Sequence, residues 1–476
     1  MRLVAGVDSS TQSCKVVVLN AATGELVRHA RASHPGGTEV DPYAWWAALR
    51  TVLEEADLTG VEALSIGGQQ HGMVCLDSDG EVIRPALLWN DTRSAQATDQ
   101  LIADLGGGDP AEGRRRWADA VGSVPVPSFT VTKLRWLADH EPDNAARIAA
   151  IALPHDWLTW KLLGSDLTTL VTDRSDASGT GYFDPVTNTY GRDLLALALR
   201  RTEADINHII LPRVLGPADS AGEARINGHR VLVGPGCGDN AGAALGMGLE
   251  PGHGVLSLGT SGVVAVVSDE PTHDSTGLVA GFADATGGFL PLACTLNGAR
   301  ILDATADVLD LTLADLDTLA ATADPGAGGL TLVPYFEGER TPNLPNATAT
   351  LHGMTLTSFT RANLARAAFE GLLCLMADAL AAVTRHGIAL EQLTLTGGGA
   401  RAETVKALAP GILGVPIALA PDAEYVARGA ARQAAWTANA TPTPPQWPLE
   451  VAAAPHASQT DGVLTRYRTL RPWPAG

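Results

Sequence analysis

Short apolar runs alternate with amphipathic stretches along the chain, and the first apolar run is followed by a polar tip. Residues 3–7 and 15–19 are apolar runs of strand length, and residues 8–13 between them are mostly small and polar. This pattern predicts a β-hairpin, because strands of this length are bounded by turn residues. Its tip would expose hydroxyls and backbone N–H groups that can bind an oxyanion.

The second half of the chain repeats this arrangement. The apolar residues 255–258 lead into a tip formed by residues 259–262, and residues 263–267 return as another apolar run. The tip reads Gly-Thr-Ser-Gly. Either tip alone is usually no more than a turn, but two hairpins built alike in separate halves predict a duplicated domain that holds a polyphosphate between its copies.

Helical periodicity fills most stretches between the predicted strands, which indicates an α/β fold with helices covering open sheets. The predicted helices are residues 43–55, 94–105, 132–140, 155–163, 298–309, 314–322, 363–386 and 428–436. We predict an N-terminal domain at residues 1–242, a C-terminal domain at 243–440 and a tail at 441–476. The tail is expected to be irregular up to residue 455, helical at 463–470, and packed back on the body.

A glycine-rich acidic turn lies near the middle of the chain. The apolar run 231–233 is followed by residues 234–242, which read Gly-Pro-Gly-Cys-Gly-Asp-Asn-Ala-Gly. The glycines end the predicted strand, and Asp239 follows at the strand end, where α/β folds carry their chemistry. In an isolated turn such an aspartate would be a solvated surface residue. The two hairpins that flank this turn in sequence favour a catalytic role instead.

Another glycine-rich turn lies near the C-terminus. Residues 393–396 predict a strand, residues 397–400 read Gly-Gly-Gly-Ala, and residues 401–408 predict a helix. Such glycines let the backbone approach a ligand at a helix N-terminus, although a plain strand-to-helix turn also explains them. The turn has neither the Walker nor the Rossmann spacing, which counts against the P-loop and dinucleotide-binding classes.

Composition excludes several functional classes. The net charge of −19 and the lack of a Lys/Arg-rich run argue against nucleic acid and anionic membranes as partners. The five cysteines are scattered without a C-x-x-C pair, so we expect neither a disulfide framework nor a zinc site, and Cys237 is expected to be buried filler. Because the sequence has no signal-peptide pattern and no apolar run of membrane-spanning length, a cytoplasmic location is expected.

These motifs together resemble those of the FGGY carbohydrate kinases, which belong to the actin-like ATPase superfamily. The resemblance runs from residue 4 to about residue 436, with the motifs in the family's order. It implies two duplicated ribonuclease H-like domains with a catalytic cleft between them. The segments that carry it are residues 8–11, 128–137, 238–240, 257–262, 351–354, 363–370 and 397–400.

The resemblance also implies ATP and Mg²⁺ and assigns roles to named residues. Asp239 is the expected general base, and Asp8 is the expected carboxylate on the metal side. Lys15 lies close enough in sequence to approach the phosphates, but an edge lysine is an equal alternative. The residues expected to bind the nucleotide are Ser10, Thr11, Ser13, Gly259 and Thr260 at the phosphates, and Gly398, Gly399 and Ala400 at the adenosine end.

The stretches 68–72, 88–93 and 338–342 resemble those of the pentulose kinases within the family. They imply D-xylulose as the acceptor, recognised by Gln70, His71 and Asn240 beside the base Asp239. Another pentulose or polyol, of the ribulose type, is the alternative, and a non-catalytic actin-like ATPase is a less favoured one. Glycerol is a poor candidate, because glycerol kinases have an Arg-Glu pair where this chain has Gln70-His71.

Two further expectations concern neighbouring charges and assembly. Asp91 and Arg93 lie in one of these stretches, but an ion pair explains them equally well. The expected partners are a small sugar and ATP, with neither nucleic acid nor membrane. A homodimer is expected by resemblance to relatives.

Overall fold

The structure, a computed structural model, describes residues 2–455 and 460–473. Contacts divide the chain into two compact units. Unit 1 contains residues 1–249, 269–290 and 422–449, and unit 2 contains residues 250–268, 291–421 and 450–476. Each unit is therefore built from segments that are far apart in sequence. The domain boundaries predicted at residues 242 and 440 stay a prediction.

The strands are, in chain order, β1 Leu3–Ser9, β2 Ser13–Asn20, β3 Leu26–Ser33, β4 Glu39–Val40, β5 Val61–Gly68, β6 Val74–Leu76, β7 Ala86–Leu87, β8 Ala150–Ala152, β9 Val171–Asp173, β10 Phe183–Asp184, β11 Thr189–Tyr190, β12 Arg213–Leu215, β13 Gly222–Ile226, β14 His229–Val233, β15 Cys237–Gly238, β16 His253–Leu258, β17 Gly262–Val266, β18 Ala280–Ala283, β19 Phe289–Thr295, β20 Thr331–Val333, β21 Thr350–His352, β22 Gln392–Thr396, β23 Ile417–Leu419 and β24 Ala452–Ala453.

The α-helices are α1 Pro42–Glu55, α2 Ala95–Leu105, α3 Pro110–Val121, α4 Thr130–His140, α5 Pro142–Ala146, α6 Pro154–Leu162, α7 Arg174–Ala177, α8 Arg192–Ala198, α9 Glu203–Ile206, α10 Asp239–Met247, α11 Arg300–Leu309, α12 Leu313–Ala321, α13 Arg361–Thr384, α14 Glu403–Leu413, α15 Tyr425–Asn439 and α16 Val463–Leu470. Turns of 3₁₀ helix occur at Leu167–Thr169, Ala327–Gly329 and Gly398–Arg401.

The main sheet of unit 1 has the strand order β13-β14-β5-β1-β2-β3, and β15 pairs with the end of β5. β1 runs antiparallel to β2 and parallel to β5, and β5 runs parallel to β14. The outer pairs β13–β14 and β2–β3 are antiparallel. The register of the β1–β2 hairpin places Asp8 opposite Lys15. The predicted first hairpin is therefore present in the sheet.

The sheet of unit 2 repeats this topology. Six of its strands follow the order β24-β23-β22-β16-β17-β19. β16 is antiparallel to β17 and parallel to β22, β22 is parallel to β23, and the outer pairs β17–β19 and β23–β24 are antiparallel. Each pair of neighbouring strands in this order has the same relative direction as the corresponding pair in unit 1. The prediction of a duplicated α/β domain is confirmed.

Alternation of side chains along β1 explains how the sheet of unit 1 is covered on both faces. Leu3, Ala5 and Val7 join one buried cluster, which also contains core residues of α1 and α6. Val4 joins a second cluster, formed largely by alanines of α15. Successive residues of a strand point to opposite faces, so the two clusters lie on opposite sides of one sheet. Because both faces of β1 are buried, its sequence is a nearly continuous apolar run.

Glycines allow unusually close backbone packing between β1, α10 and α15. A Cβ atom built on Gly429 of α15 would lie 1.9 Å from the carbonyl oxygen of Gly242. A Cβ on Gly246 of α10 would lie 2.0 Å from the carbonyl oxygen of Tyr425, and one on Gly6 of β1 would lie 2.0 Å from that of Ala427. Any larger residue at these positions would push the elements apart.

Several sequence predictions need correction. The helix expected at residues 401–408 begins two residues later, as α14, because the extended backbone of Ala402 separates it from the 3₁₀ turn Gly398–Arg401. The stretch after the acidic turn is helical, since α10 starts at Asp239 itself. The tail expected to be irregular contains β24, which pairs with β23. The helix predicted at residues 463–470 is confirmed as α16.

One helix among the described residues, α13, is long and apolar enough to cross a membrane by length and composition. Its most apolar 18-residue window is 89% buried in the protein. It packs against α11, α12 and α14, which are all elements of unit 2. The core of unit 2 therefore accounts for its apolar length.

We expect Gly429→Ala to lower stability by about 1–3 kcal/mol, because overpacking forces packed elements apart. In an ordinary helix interior the same change would stabilise by about 1 kcal/mol, so the sign of the effect is diagnostic. The measurement is the thermal unfolding midpoint. Gly36→Ala is the control, since a Cβ at Gly36 meets no atom within 4 Å. Equal midpoints for the two variants would contradict the packing described.

Candidate active site

Asp8 lies at the end of β1, with its side chain almost fully buried. Its Oδ2 atom is 3.6 Å from Lys15 Nζ, and Lys15 also contacts Glu424 at 2.6 Å. Its Oδ1 atom has no hydrogen-bond partner among the described residues. Burial raises the pKa of Asp8 to about 6, against the lowering effect of Lys15. A buried carboxylate oxygen without a partner fits the needs of a partly hydrated Mg²⁺ ion.

The tip of the first hairpin is closed by hydrogen bonds of Ser10. Its backbone N–H and its hydroxyl both donate to the carbonyl oxygen of Ser13, at 3.0 Å. The hydroxyl of Thr11 accepts from Trp89 Nε1 at 2.9 Å and donates to Gln69 Oε1 at 3.3 Å. Thr11, predicted from sequence as a nucleotide ligand, thus also joins the hairpin tip to the loop that contains Gln70.

Asp239 is the first residue of α10, directly after β15 has paired with the end of β5. Its Oδ1 atom accepts from the backbone N–H of Asn240 at 2.8 Å and from Asn240 Nδ2 at 2.9 Å. Removal from water and, secondarily, the negative charge of Asp8 raise the pKa of Asp239 to about 7. A carboxyl that titrates near neutral pH is suited to accept a proton from a hydroxyl.

Gln70 connects the sugar loop predicted from sequence to this carboxylate. Its Oε1 atom accepts from Asn240 Nδ2 at 3.2 Å, and its Nε2 atom donates to the carbonyl oxygen of Ser175 at 3.2 Å. The structure therefore brings Gln70, Asn240 and Asp239 into one hydrogen-bonded group. Amide side chains fixed in this way discriminate between sugars through their hydroxyls.

His71 lies in the same loop, with a backbone φ of 70°. Left-handed backbone is costly for a residue other than glycine and persists only where the surrounding contacts hold it. The imidazole stacks on Phe129 at a centroid distance of 4.8 Å, and its Nδ1 atom lies 2.7 Å from the carbonyl oxygen of Gly179. A proton on Nδ1 donates to that oxygen, and this hydrogen bond fixes the orientation of the ring.

A segment that sequence reasoning missed supports both loop residues. Asp173 caps the N-terminus of α7 by accepting from the backbone N–H groups of Ser175 and Asp176. The hydroxyl of Ser175 accepts from the backbone N–H of Gly238 at 3.0 Å, next to Asp239. The segment 173–179 therefore contacts Gln70, His71 and the acidic turn that contains Asp239. The helix-capping pattern of an aspartate with a second acid three residues later was its only local signal.

Asp91 and Arg93 form an ion pair within unit 1. Asp91 Oδ1 accepts from the backbone N–H and the Nε atom of Arg93, and its Oδ2 atom accepts from Thr38 at 2.8 Å. Arg93 also pairs with Glu39 at 2.7 Å. These contacts satisfy both charges, so the ion-pair alternative describes these two residues.

Cys237 belongs to the acidic turn, two residues before Asp239, and is fully buried. Its Sγ atom fills the space between Gly67 and Gly242. Burial raises the pKa of the thiol well above its ordinary value, which favours the unreactive thiol over the nucleophilic thiolate.

Unit 2 brings its hairpin tip and its glycine turn together at one end of its sheet. Ser257 of β16 pairs with Thr396 of β22, and the two strands are parallel. Residues 259–261 and 397–400, which follow these strands, therefore lie at the same edge of the sheet. A Cβ on Gly397 would lie 2.7 Å from the carbonyl oxygen of Leu258, whereas one on Gly398 would meet nothing within 4 Å. The open face at Gly398 is compatible with a ligand, as the sequence predicts.

Glu339 supports this hairpin tip from inside unit 2. Its carboxylate accepts from Asn297 Nδ2 at 2.9 Å and from the backbone N–H groups of Leu296 and Arg340 at 2.5 and 2.7 Å. Gly298, which follows Asn297 in the chain, packs directly on residues 259–261. Burial raises the pKa of Glu339 above its ordinary value, although the hydrogen-bond donors around the carboxylate act in the opposite direction. From the sequence, Glu339 is recognised only as one residue of the stretch 338–342.

Both halves of the chain match one family. The N-terminal domain of the FGGY family of carbohydrate kinases matches residues 3–246, and its C-terminal domain matches residues 254–438. The chain belongs to the FGGY family of carbohydrate kinases.

The chain is similar to proteins named xylulose kinase. Those of Streptomyces coelicolor and Streptomyces rubiginosus are each 44% identical to it, over 91% of this chain and 87% of theirs. The crystal structure of xylulose kinase from Bifidobacterium adolescentis has a TM-score of 0.93 and 50% identity, covering 98% of this chain and 99% of that one.

We expect Glu339→Gln to destabilise the protein by about 1–3 kcal/mol, because the amide replaces a charged acceptor among buried donors. Differential scanning calorimetry should show a lower unfolding midpoint. Glu337→Gln is the matched control, since the Glu337 side chain is 81% exposed. If both variants unfold at the wild-type temperature, Glu339 does not stabilise the hairpin tip.

Proposed function

We propose that the protein catalyses ATP-dependent phosphorylation of D-xylulose to D-xylulose 5-phosphate. Family membership and relatives named xylulose kinase support the reaction class and the sugar. The observation that carries the proposal is the bonded group of Gln70, Asn240 and Asp239, in which the carboxyl has a pKa of about 7. This arrangement combines sugar recognition with a proton acceptor.

Asp239 acts in this proposal as the general base. Its ionised carboxylate accepts the proton of the attacking sugar hydroxyl as that oxygen forms a bond to the γ-phosphorus. The bond between the γ-phosphorus and the bridging oxygen breaks, and ADP leaves with the electron pair. The hydrogen bonds from Asn240 hold the carboxylate in one orientation, which limits the reorganisation needed at the moment of transfer.

Gln70, His71 and Asn240 orient the sugar. Their amide and imidazole groups are already fixed by protein contacts, so little rotational freedom is lost when the sugar binds. A site built from such donors and acceptors rejects analogues that lack a hydroxyl, because its buried polar groups would then be left unpaired.

The nucleotide phosphates are bound, in this proposal, by Ser10, Thr11 and Ser13 of unit 1 and by Gly259 and Thr260 of unit 2. Gly398, Gly399 and Ala400 contact the adenosine end. The buried, unpartnered Oδ1 atom of Asp8 supports its assignment to the metal side. Bound Mg²⁺ would supply charge neutralisation at the phosphates, usually through several of its own waters.

A panel of acceptors tests the substrate. ADP release is measured with D-xylulose, D-ribulose, gluconate and glycerol, and we expect the highest kcat/KM with D-xylulose. Each kcat/KM ratio reports differential binding of the transition state. A higher kcat/KM with D-ribulose would mean that the substrate is D-ribulose, while the proposed phosphoryl transfer would stand. If none of the acceptors stimulates ADP release, the protein is not a kinase for these sugars, and the alternative of an actin-like ATPase is favoured.

Asp239→Asn keeps the shape of the side chain but removes the proton acceptor. We expect kcat for the sugar to fall by roughly 10²–10⁴-fold while ATP binding, measured by calorimetry, persists. Asp193→Asn is the matched control, because Asp193 is also an acid in the first turn of a helix but is exposed. Near-normal kcat in a folded Asp239→Asn enzyme would refute the assignment.

The pH profile gives a second readout of the same carboxyl. Only the ionised form of Asp239 can accept a proton, so kcat/KM for the sugar should fall as the pH falls through about 7. Well below that pH the loss should approach about tenfold per unit, as for a single essential base. A profile that is flat from pH 5 to 8 would contradict this role.

A further inference from the structure

Four ionisable side chains that this mechanism does not use meet in the interior of unit 1. His155 Nε2 lies 3.4 Å from Asp156 Oδ1, 3.3 Å from Asp173 Oδ1 and 3.2 Å from Asp176 Oδ2. The side chain of His155 is 0% exposed, and that of Asp176 is also 0% exposed. Buried charges persist only when they are paired, so this set, here called the His155 cluster, must balance its own charge.

The charges of the cluster favour a protonated imidazole. Burial alone would lower the pKa of His155, but the charges of Asp156 and Asp176 and the contact with Asp173 raise it to about 10. Burial also raises the pKa of Asp156 to about 6 and that of Asp176 well above its ordinary value. One cation does not balance three carboxylates, and the neighbouring acids contribute, after burial, to the raised pKa values of Asp156 and Asp176.

The cluster is held by charge more than by directed hydrogen bonds. Both ring nitrogens of His155, both carboxylate oxygens of Asp176 and Asp156 Oδ1 lack a hydrogen-bond partner of good geometry. If the cation were removed, the carboxylates would be left unpaired in a buried site. Loss of one member of such a set is strongly destabilising.

The ring of His155 lies directly beneath the two loops of the candidate active site. A Cβ on Gly236 would lie 2.6 Å from His155 Nδ1, and a Cβ on Gly68 would lie 3.0 Å from His155 Cβ. Gly236 belongs to the turn that leads to Asp239, and Gly68 ends β5 just before Gln70. Only residues without side chains let the imidazole approach both backbones this closely.

A continuous path leads from the cluster to the proposed base. Asp173 Oδ2 accepts from the hydroxyl of Ser175 at 2.6 Å, and that hydroxyl accepts from the backbone N–H of Gly238 at 3.0 Å. The carbonyl oxygen of Ser175 accepts from Gln70 Nε2. The N-terminus of α7 thus connects the cluster to the residue before Asp239 and to the sugar loop.

We propose that His155 is a positioning residue whose buried positive charge holds Asp156, Asp173 and Asp176 together. It thereby fixes the N-terminus of α7 under Gln70 and Asp239. The inference rests on the proposed kinase function. The residues that face His155 are Asp156 on its own helix, Asp173 at the end of β9 and Asp176 on α7. β5 and the acidic turn that contains Asp239 present glycines to the ring.

The test compares two variants that differ in charge. His155→Lys keeps a cation, whereas His155→Gln keeps a polar side chain without charge. We expect His155→Gln to lower kcat with D-xylulose by about 10- to 100-fold, since small displacements of catalytic groups have effects of this size. His155→Lys should restore most of kcat. KM for ATP should change little in either variant. His273→Gln, at an exposed histidine of unit 1, is the control.

A second variant keeps the proposal testable if His155→Gln does not fold. Asp176→Asn removes one negative charge, so the double variant His155→Gln/Asp176→Asn should recover folding and part of kcat. Non-additivity of this kind is the signature of directly interacting residues. Protonation is read separately from the ¹³Cε1 shift of labelled histidine, assigned by its loss in His155→Lys. The ring should remain protonated at pH 8.

Three results would overturn the proposal. The first is a His155→Lys enzyme as impaired as His155→Gln, which would mean that charge is not what matters. The second is a neutral ring at pH 8. The third is one divalent metal per chain in the purified wild type, absent from His155→Gln, which would make the cluster a metal site. Failure of Asp239→Asn to lose activity, with the charge dependence at His155 intact, would instead refute only the assigned base.

Discussion

The contact that the rest of unit 1 depends on is the side-chain-free packing of α15 against β1 and α10. Gly6, Gly246 and Gly429 remove the side chains that would keep these backbones apart. Alanines of α15 then complete the apolar cover on one face of the sheet. The same helix carries Gln433, whose side-chain amide both donates to the carbonyl oxygen of Gly236 and accepts from its N–H. Close packing therefore places the polar side chain of Gln433 directly behind the acidic turn that contains Asp239.

The two units have sheets with the same strand order. In each, a hairpin is followed in the sheet by a parallel strand, and glycines at the strand ends keep the backbone close to the neighbouring elements. In unit 1 the result is an acidic site, in which burial and, to a smaller extent, the charge of Asp8 raise the pKa of Asp239. In unit 2 the corresponding edge carries small residues without charge. Duplication thus supplied two similar edges that differ in chemistry.

The sequence predicted what depends on local pattern. The hairpins, the glycine turns and helices such as α16 follow from apolar periodicity and turn residues, which act within a few positions. It did not predict that α10 begins at Asp239, because the glycines there resemble a plain turn. His155 and Asp173 were also missed as members of one cluster. A buried charge looks like a surface charge until its distant partners are known, and these two residues are 18 positions apart in the printed sequence.

The discontinuity of unit 1 has a consequence for synthesis on the ribosome. Residues 422–449 emerge last among its segments, more than 170 residues after residue 249. Until then the sheet face that includes Val4 and Val17 lacks the helix that covers it. An uncovered apolar sheet face is prone to association with other chains. The N-terminal half therefore cannot complete its core during its own translation, and most of the chain must exist before Gln433 can support the acidic turn that contains Asp239.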